Sequence, residues 1–125
     1  MGFLDRLKAS QSSTSSVWTS LTKQDQLDKI DELSKDQAVV IFKHSTTCGI
    51  SAGAKHRLEG DWDAIPEGTP FFYLDLLNYR PISAAIADRY KVRHESPQIL
   101  VIKNGKATYN TSHQRINAKA VAGQV

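Results

Sequence analysis

The stretch Ala38-Val39-Val40-Ile41-Phe42-Lys43-His44-Ser45-Thr46-Thr47-Cys48-Gly49-Ile50-Ser51 decides how this 125-residue chain is read. It opens with an uninterrupted apolar run, 38–42, of the kind buried on both faces of a parallel sheet. It continues into a helical pattern, with Ile50, Ala54 and Leu58 four residues apart on one face. The chain's single cysteine, Cys48, falls where the strand would turn into the helix. The first N–H groups of a helix lack intrahelical partners, and their partial positive charge favours an anion. A cysteine there is expected to ionise more readily than a free one, and the thiolate is its reactive form.

Working outward, the remaining elements alternate. Val17-Trp18 suggests a short edge strand or an anchoring contact. Thr22 is a candidate helix cap, with Asp25 early in the helix and Leu27, Ile30 and Leu33 on its apolar face. The helix after Cys48 should stop at Gly60, and Pro66, Gly68 and Pro70 mark a loop. Residues 71–76 read as a strand, and Pro81 suits the first turn of a helix facing inward with Ile82, Ala85, Ile86 and Tyr90. Pro97 precedes a strand over 99–102, and Asn104-Gly105 is a strong hairpin signal returning the chain over about 106–111. A last helix spans 116–125, with Asn117 as its cap. The order implies an α/β fold, a central mixed sheet of about four strands with helices on both faces.

Residues 1–16 are set apart as a flexible N-terminal segment, because six of the seven residues 10–16 are Ser or Thr. Residues 17–125 form the expected domain. One cysteine excludes an internal disulfide, and four scattered His show no metal-ligand spacing, so no metal is expected. Net charge is +3, with Lys and Arg spread along the chain rather than gathered in a stripe, which argues against nucleic acid. No apolar stretch approaches the ~20 residues that span a bilayer, so no membrane partner is expected. A free reactive thiol suits a cytoplasmic location.

The element order, with a cysteine after the central strand and a Pro ahead of the hairpin, resembles the thioredoxin fold over residues 17–125. Thr47-Cys48-Gly49-Ile50-Ser51 resembles the site of monothiol bacilliredoxins of the YtxJ-like family, which typically show Thr-Cys-Pro-Ile-Ser; Gly49 is the departure. His44-Ser45, Ser96-Pro97 and Lys103-Asn104-Gly105 are also similar to that family. The resemblance implies a thiol–disulfide oxidoreductase that removes bacillithiol from mixed disulfides on client proteins, with bacillithiol as cosubstrate and no tightly bound cofactor. It further implies a cis Ser96–Pro97 peptide beside Cys48, with Glu95-Ser96 offering a backbone edge to a bound thiol peptide. A monomer is expected.

Thiol–disulfide exchange needs an exposed thiolate and an in-line path to a sulfur. Cys48 supplies the thiolate. Ser51 stands where a dithiol enzyme has its resolving cysteine; its hydroxyl can hydrogen-bond the thiolate but cannot displace it, so free bacillithiol or a reducing dithiol protein must resolve the adduct. Ser51 also reads as a plain first-turn serine, and Thr47 as either a pocket or a structural residue. His44 is either a cation lowering the thiol pKa or a strand-end residue with a local hydrogen bond. Lys43, Lys55, His56 and Arg57 are candidates for attracting the carboxylates of bacillithiol. Asp75 reads as a proton carrier or a strand-end acid. Cys-Gly-Ile-Ser also resembles the Cys-Gly-Phe-Ser of monothiol glutaredoxins, so an iron–sulfur cluster carrier is the alternative; a non-enzymatic thioredoxin-like adaptor is a third reading.

Overall fold

A computed structural model describes residues 18–44, 49–60, 64–65 and 68–125. Five strands are present among them: β1 (Trp18–Ser20), β2 (Val39–His44), β3 (Phe71–Asp75), β4 (Gln98–Lys103) and β5 (Lys106–Ser112). They form one sheet in the order β1-β3-β2-β4-β5. β1, β3 and β2 run parallel, and β4 and β5 are antiparallel to their neighbours. The helices are α1 (Gln26–Leu33), α2 (Gly49–Gly60), α3 (Arg80–Tyr90) and α4 (Ala118–Ala122), with a 3-10 turn at His113–Arg115.

β2 is central because every residue in it is apolar or can be sheltered. All six of its residues are buried. Alternate side chains of a strand face opposite sides of the sheet. Val39 and Ile41 join Phe72, Leu74, Leu100 and Ile102 beneath α1 and α3 (Leu27, Ile30, Ile82, Ile86). Val40 and Phe42 join Phe71, Ile99 and Val101 beneath α2 and α4 (Ala54, Leu58, Ala118, Val121). Two cores on two faces of one sheet follow from the continuous apolar run.

β1 is the short edge strand expected at Val17-Trp18: it has three residues, lies at the edge of the sheet and is held through its ladder to β3. Thr22 is not the cap of α1. Asp25 occupies that position without a side-chain cap bond. Gln26 instead folds back, its Oε1 accepting the N–H groups of Thr22 (2.8 Å) and Lys23 (3.0 Å). Asn104 and Gly105 both have positive φ, 52° and 73°, the pairing a two-residue hairpin turn requires. Asn117 caps α4 through Oδ1, which accepts the Ala120 N–H at 2.8 Å.

Candidate functional site

The register of the sheet assembles one end of the molecule. Lys43 of β2 pairs with Leu74 of β3 and Gln98 of β4, and Gln98 pairs with Ser112 of β5. The chain leaves this row at His44 and re-enters a regular element at Gly49. Gly49, Ile50 and Ser51 are the first three residues of α2, so their N–H groups have no carbonyl four residues back within the helix. Cys48 directly precedes them in sequence; Thr47 and Cys48 themselves lie outside the described residues. The same row of the sheet carries, at β4, the loop that ends in Pro97.

The Ser96–Pro97 peptide is cis, as expected, and Pro97 is buried. Its expected place beside Cys48 involves a residue outside the described ones. Pro97's carbonyl accepts the His113 N–H at 3.0 Å, which ties the loop to the end of β5. Gln98, 1% exposed, organises the loop from below. Its Nε2 donates to the Arg93 carbonyl at 2.9 Å, and its Oε1 faces the Glu95 N–H at 3.4 Å. The Glu95 N–H is therefore turned inward, which subtracts one donor from the backbone edge expected of Glu95-Ser96.

His44 closes β2, the strand-end position that one of its two sequence readings gave it. It is 5% exposed, stacked on Phe42 at 5.5 Å between ring centres and edge-on to Tyr73 at 5.4 Å. Lys43 points to the other face and is fully buried. Its Nζ lies 3.2 Å from Nδ1 of His94, which is also 3.2 Å from the Ser83 hydroxyl. Burial lowers the Lys43 amine from its usual 10.5 to about 8. Burial, with Lys43's charge beside it, lowers His94 too.

This arrangement corrects the reading of Lys43 as a surface attractor of carboxylates: strand alternation turns its side chain into the core. Lys55 is paired with Glu59 at 2.7 Å. Arg57 donates Nε to the Ile116 carbonyl (3.1 Å) and Nη2 to the His113 carbonyl (3.0 Å), clamping the 113–116 turn. His56 is exposed on α2. Asp75 shapes the turn after β3. Its carboxylate accepts the Leu77 N–H at 3.3 Å and the Asn78 amide at 2.8 Å.

Sequence reasoning missed a polar cleft of about 310 Å³ lined by Glu95, Ser112, His113 and Arg115. The Ser112 hydroxyl donates to the Glu95 carboxylate. That bond, with the charges of His113, Arg93 and Arg115, holds the Glu95 carboxyl below the usual range. These residues come from two segments about seventeen positions apart, brought together by the β4–β5 register, so no local pattern reveals them.

The family of monothiol bacilliredoxins matches the chain over residues 19–121. Among solved structures, a candidate oxidoreductase with a thioredoxin fold is 32% identical, with a TM-score of 0.73; the match covers 87% of this chain and 94% of the other. Fasciola hepatica thioredoxin is 22% identical with a TM-score of 0.62, covering 84% and 93%. Mitochondrial thioredoxin 3 from Saccharomyces cerevisiae, in its oxidised form, is 20% identical with a TM-score of 0.62, covering 90% and 97%. No helix among the described residues is long and apolar enough to cross a membrane. A central strand leading into α2 at a lone cysteine, a cis-proline loop at the same end of a five-stranded mixed sheet, and a family match spanning both agree: the chain has the thioredoxin fold and belongs to the monothiol bacilliredoxin family.

Proposed function

We propose that this chain is a cytoplasmic monothiol thiol–disulfide oxidoreductase that removes bacillithiol from mixed disulfides on client proteins. The observation that carries this reading is the family match over residues 19–121, a span that includes the only cysteine. Residues 17–125 are its working domain, and it acts as a monomer with bacillithiol as cosubstrate.

Cys48 precedes the first turn of a twelve-residue helix, where unpaired N–H groups favour a thiolate. The Cys48 thiolate attacks the bacillithiol sulfur of the mixed disulfide. A Cys48–bacillithiol bond forms, the bond to the client breaks, and the client leaves as a thiolate. A second thiol, free bacillithiol or a dithiol protein, then attacks the adduct and returns Cys48 to the thiolate. Each step exchanges one disulfide for another. The Ser51 hydroxyl can hydrogen-bond the thiolate, and Thr47, Gly49, Ile50, Ser96, Pro97 and His44 are the residues we assign to the surrounding site.

Mass spectrometry of the chain after exposure to a bacillithiolated client tests the reaction. A mass increase of one bacillithiol on Cys48, with the client thiol freed, is the expected result. A client that keeps its bacillithiol while Cys48 stays unmodified refutes it.

A further inference from the structure

We infer that the cleft of Glu95, Ser112, His113 and Arg115 reads the carboxylates of the low-molecular-weight thiol, with Arg115 and His113 as the residues that take them. This deepens the proposed exchange reaction and rests on it.

Placement is the first argument. Ser112 shares a row of the sheet with Gln98 and Lys43, the row from which β2 runs on toward Cys48. Glu95 stands two residues before Pro97, and His113 is bonded to Pro97 across the strands. The cleft thus lies at the end of the sheet where β2 finishes, β4 begins and β5 ends.

Construction is the second. His113 has φ 56°, a left-handed conformation uncommon for residues with a Cβ, though histidine is among those that adopt it more readily. Two partners hold it: its N–H bonds the Pro97 carbonyl at 3.0 Å, and its own carbonyl accepts Arg57 Nη2 at 3.0 Å. The turn that presents His113 and Arg115 is therefore fixed from both sides, and pre-organised groups lose less on binding than mobile ones.

Charge is the third. Arg93, His113 and Arg115 all act on Glu95, the one acid of the cleft, and the Ser112 hydroxyl already bonds that acid. The surplus is positive. Three of the four cations weighed from the sequence are committed elsewhere, Lys43 in the core, Lys55 on Glu59 and Arg57 on backbone carbonyls, while His56 is exposed on α2. A volume of about 310 Å³ suits the polar part of a small thiol, at the lower end of the ~300–1,000 Å³ usual for small-ligand sites.

Two measurements on the intact chain test the assignment. In the first, free bacillithiol is titrated by NMR into the Cys48→Ser chain, which binds without reacting, and into the same chain carrying Arg115→Gln or Arg115→Lys. Arg115→Gln should weaken binding about fivefold, Arg115→Lys should recover most of that, and the difference should shrink as salt is raised. Equal binding by all three chains overturns the inference. In the second, the chain with Cys48 is given one client as its bacillithiol mixed disulfide or as its cysteamine mixed disulfide, which has no carboxylate. Arg115→Gln should raise KM about fivefold for the first with kcat nearly unchanged, and leave the second unaltered. An equal change for both clients overturns the assignment. Arg115-dependent binding without any transfer would keep the cleft as the thiol site and refute the exchange reaction instead.

Discussion

Lys43 Nζ lies 3.2 Å from Nδ1 of His94, and the lysine has no exposed surface. A cation here works against folding at neutral pH, because burial brings its pKa from 10.5 to about 8. Below pH 8 both folded and unfolded chains hold the proton, and the cost of the buried charge is present in full. Between pH 8 and 10.5 the unfolded chain binds more protons than the folded one, so stability rises with pH. From pH 7.5 to 9.5 the gain from this group should be about 2 kcal/mol. Urea denaturation across that window should show the rise in the native sequence and its loss in Lys43→Met, which keeps the volume without the charge. The window stops short of the tyrosines, whose raised pKa values act in the opposite direction above pH 10. A flat profile in the native sequence would contradict the burial of a charged Lys43.

The hairpin is tied to the end of α1 by a single serine. The Ser34 hydroxyl donates to the Asp31 carbonyl at 2.7 Å and accepts the Gly105 N–H at 2.8 Å, while its carbonyl accepts the Asn104 N–H at 2.8 Å. Ser34→Ala removes the acceptor for Gly105 and should cost about 1–2 kcal/mol in chemical denaturation. Gly105→Val places a branched side chain at φ 73° and should cost about 1–3 kcal/mol. No steric clash contributes, since nothing lies within 4 Å of a Cβ built there, so the backbone conformation alone sets the effect.

The strong local signals were legible from sequence. Residues 38–42 are apolar at every position because both faces of β2 are covered, and Asn104-Gly105 marks a turn in which both residues take positive φ. Pro81 opens α3 and Asn117 caps α4 for reasons contained within one turn of helix. What escaped was non-local. Lys43 and His44 look like charged residues leaving a strand. Their burial depends on Tyr73, Ser83 and His94, which lie far along the chain, His94 fifty-one positions from Lys43. The start of α1 also escaped: the Gln26 side chain folds back to accept the N–H groups of Thr22 and Lys23, and Asp25, not Thr22, stands at the cap position. At the site, the cis-proline loop was legible by resemblance, whereas the cleft at Arg115 depends on which residues the β4–β5 register sets side by side.

Helices α1 and α3 are joined at their outer rim by Tyr90 and Arg89. The Tyr90 hydroxyl donates to Asp31 Oδ1 at 2.7 Å, and Arg89 bonds Asp31 Oδ2 and Asp28 Oδ1, each at 3.0 Å. Tyr90 is 5% exposed, whereas the Arg89 and Asp28 side chains are 34% and 75% exposed. The buried bond should therefore matter more than the ion pairs. Tyr90→Phe should cost about 1–1.5 kcal/mol. Asp28→Asn should cost less than about 0.5 kcal/mol and lose even that in high salt. Denaturation midpoints for the two variants at low and high ionic strength check the ranking, and an equal cost would show that the rim pair carries more than its exposure implies.

The chain's only thiol sets the last prediction. With Cys48 alone, the protein can take bacillithiol from a client but cannot release it, because Ser51 has no sulfur to displace the adduct. Nucleophilicity falls as a thiol's pKa falls, so a modestly activated thiolate serves both attack and later departure. A single-round reaction without added thiol should therefore stop at one adduct per chain. Adding bacillithiol or a dithiol reductase should restart turnover in proportion to its concentration. Cys48→Ser should abolish transfer while leaving the denaturation midpoint nearly unchanged, since the two side chains are close in size. Ser51→Ala should slow adduct formation by about three- to tenfold, the net worth of one ordinary hydrogen bond. Rapid-quench mass spectrometry separates the two steps by following the free client and the Cys48 adduct together. Many turnovers by the isolated chain with no other thiol present, or full activity in Cys48→Ser, would show that another group carries the bacillithiol.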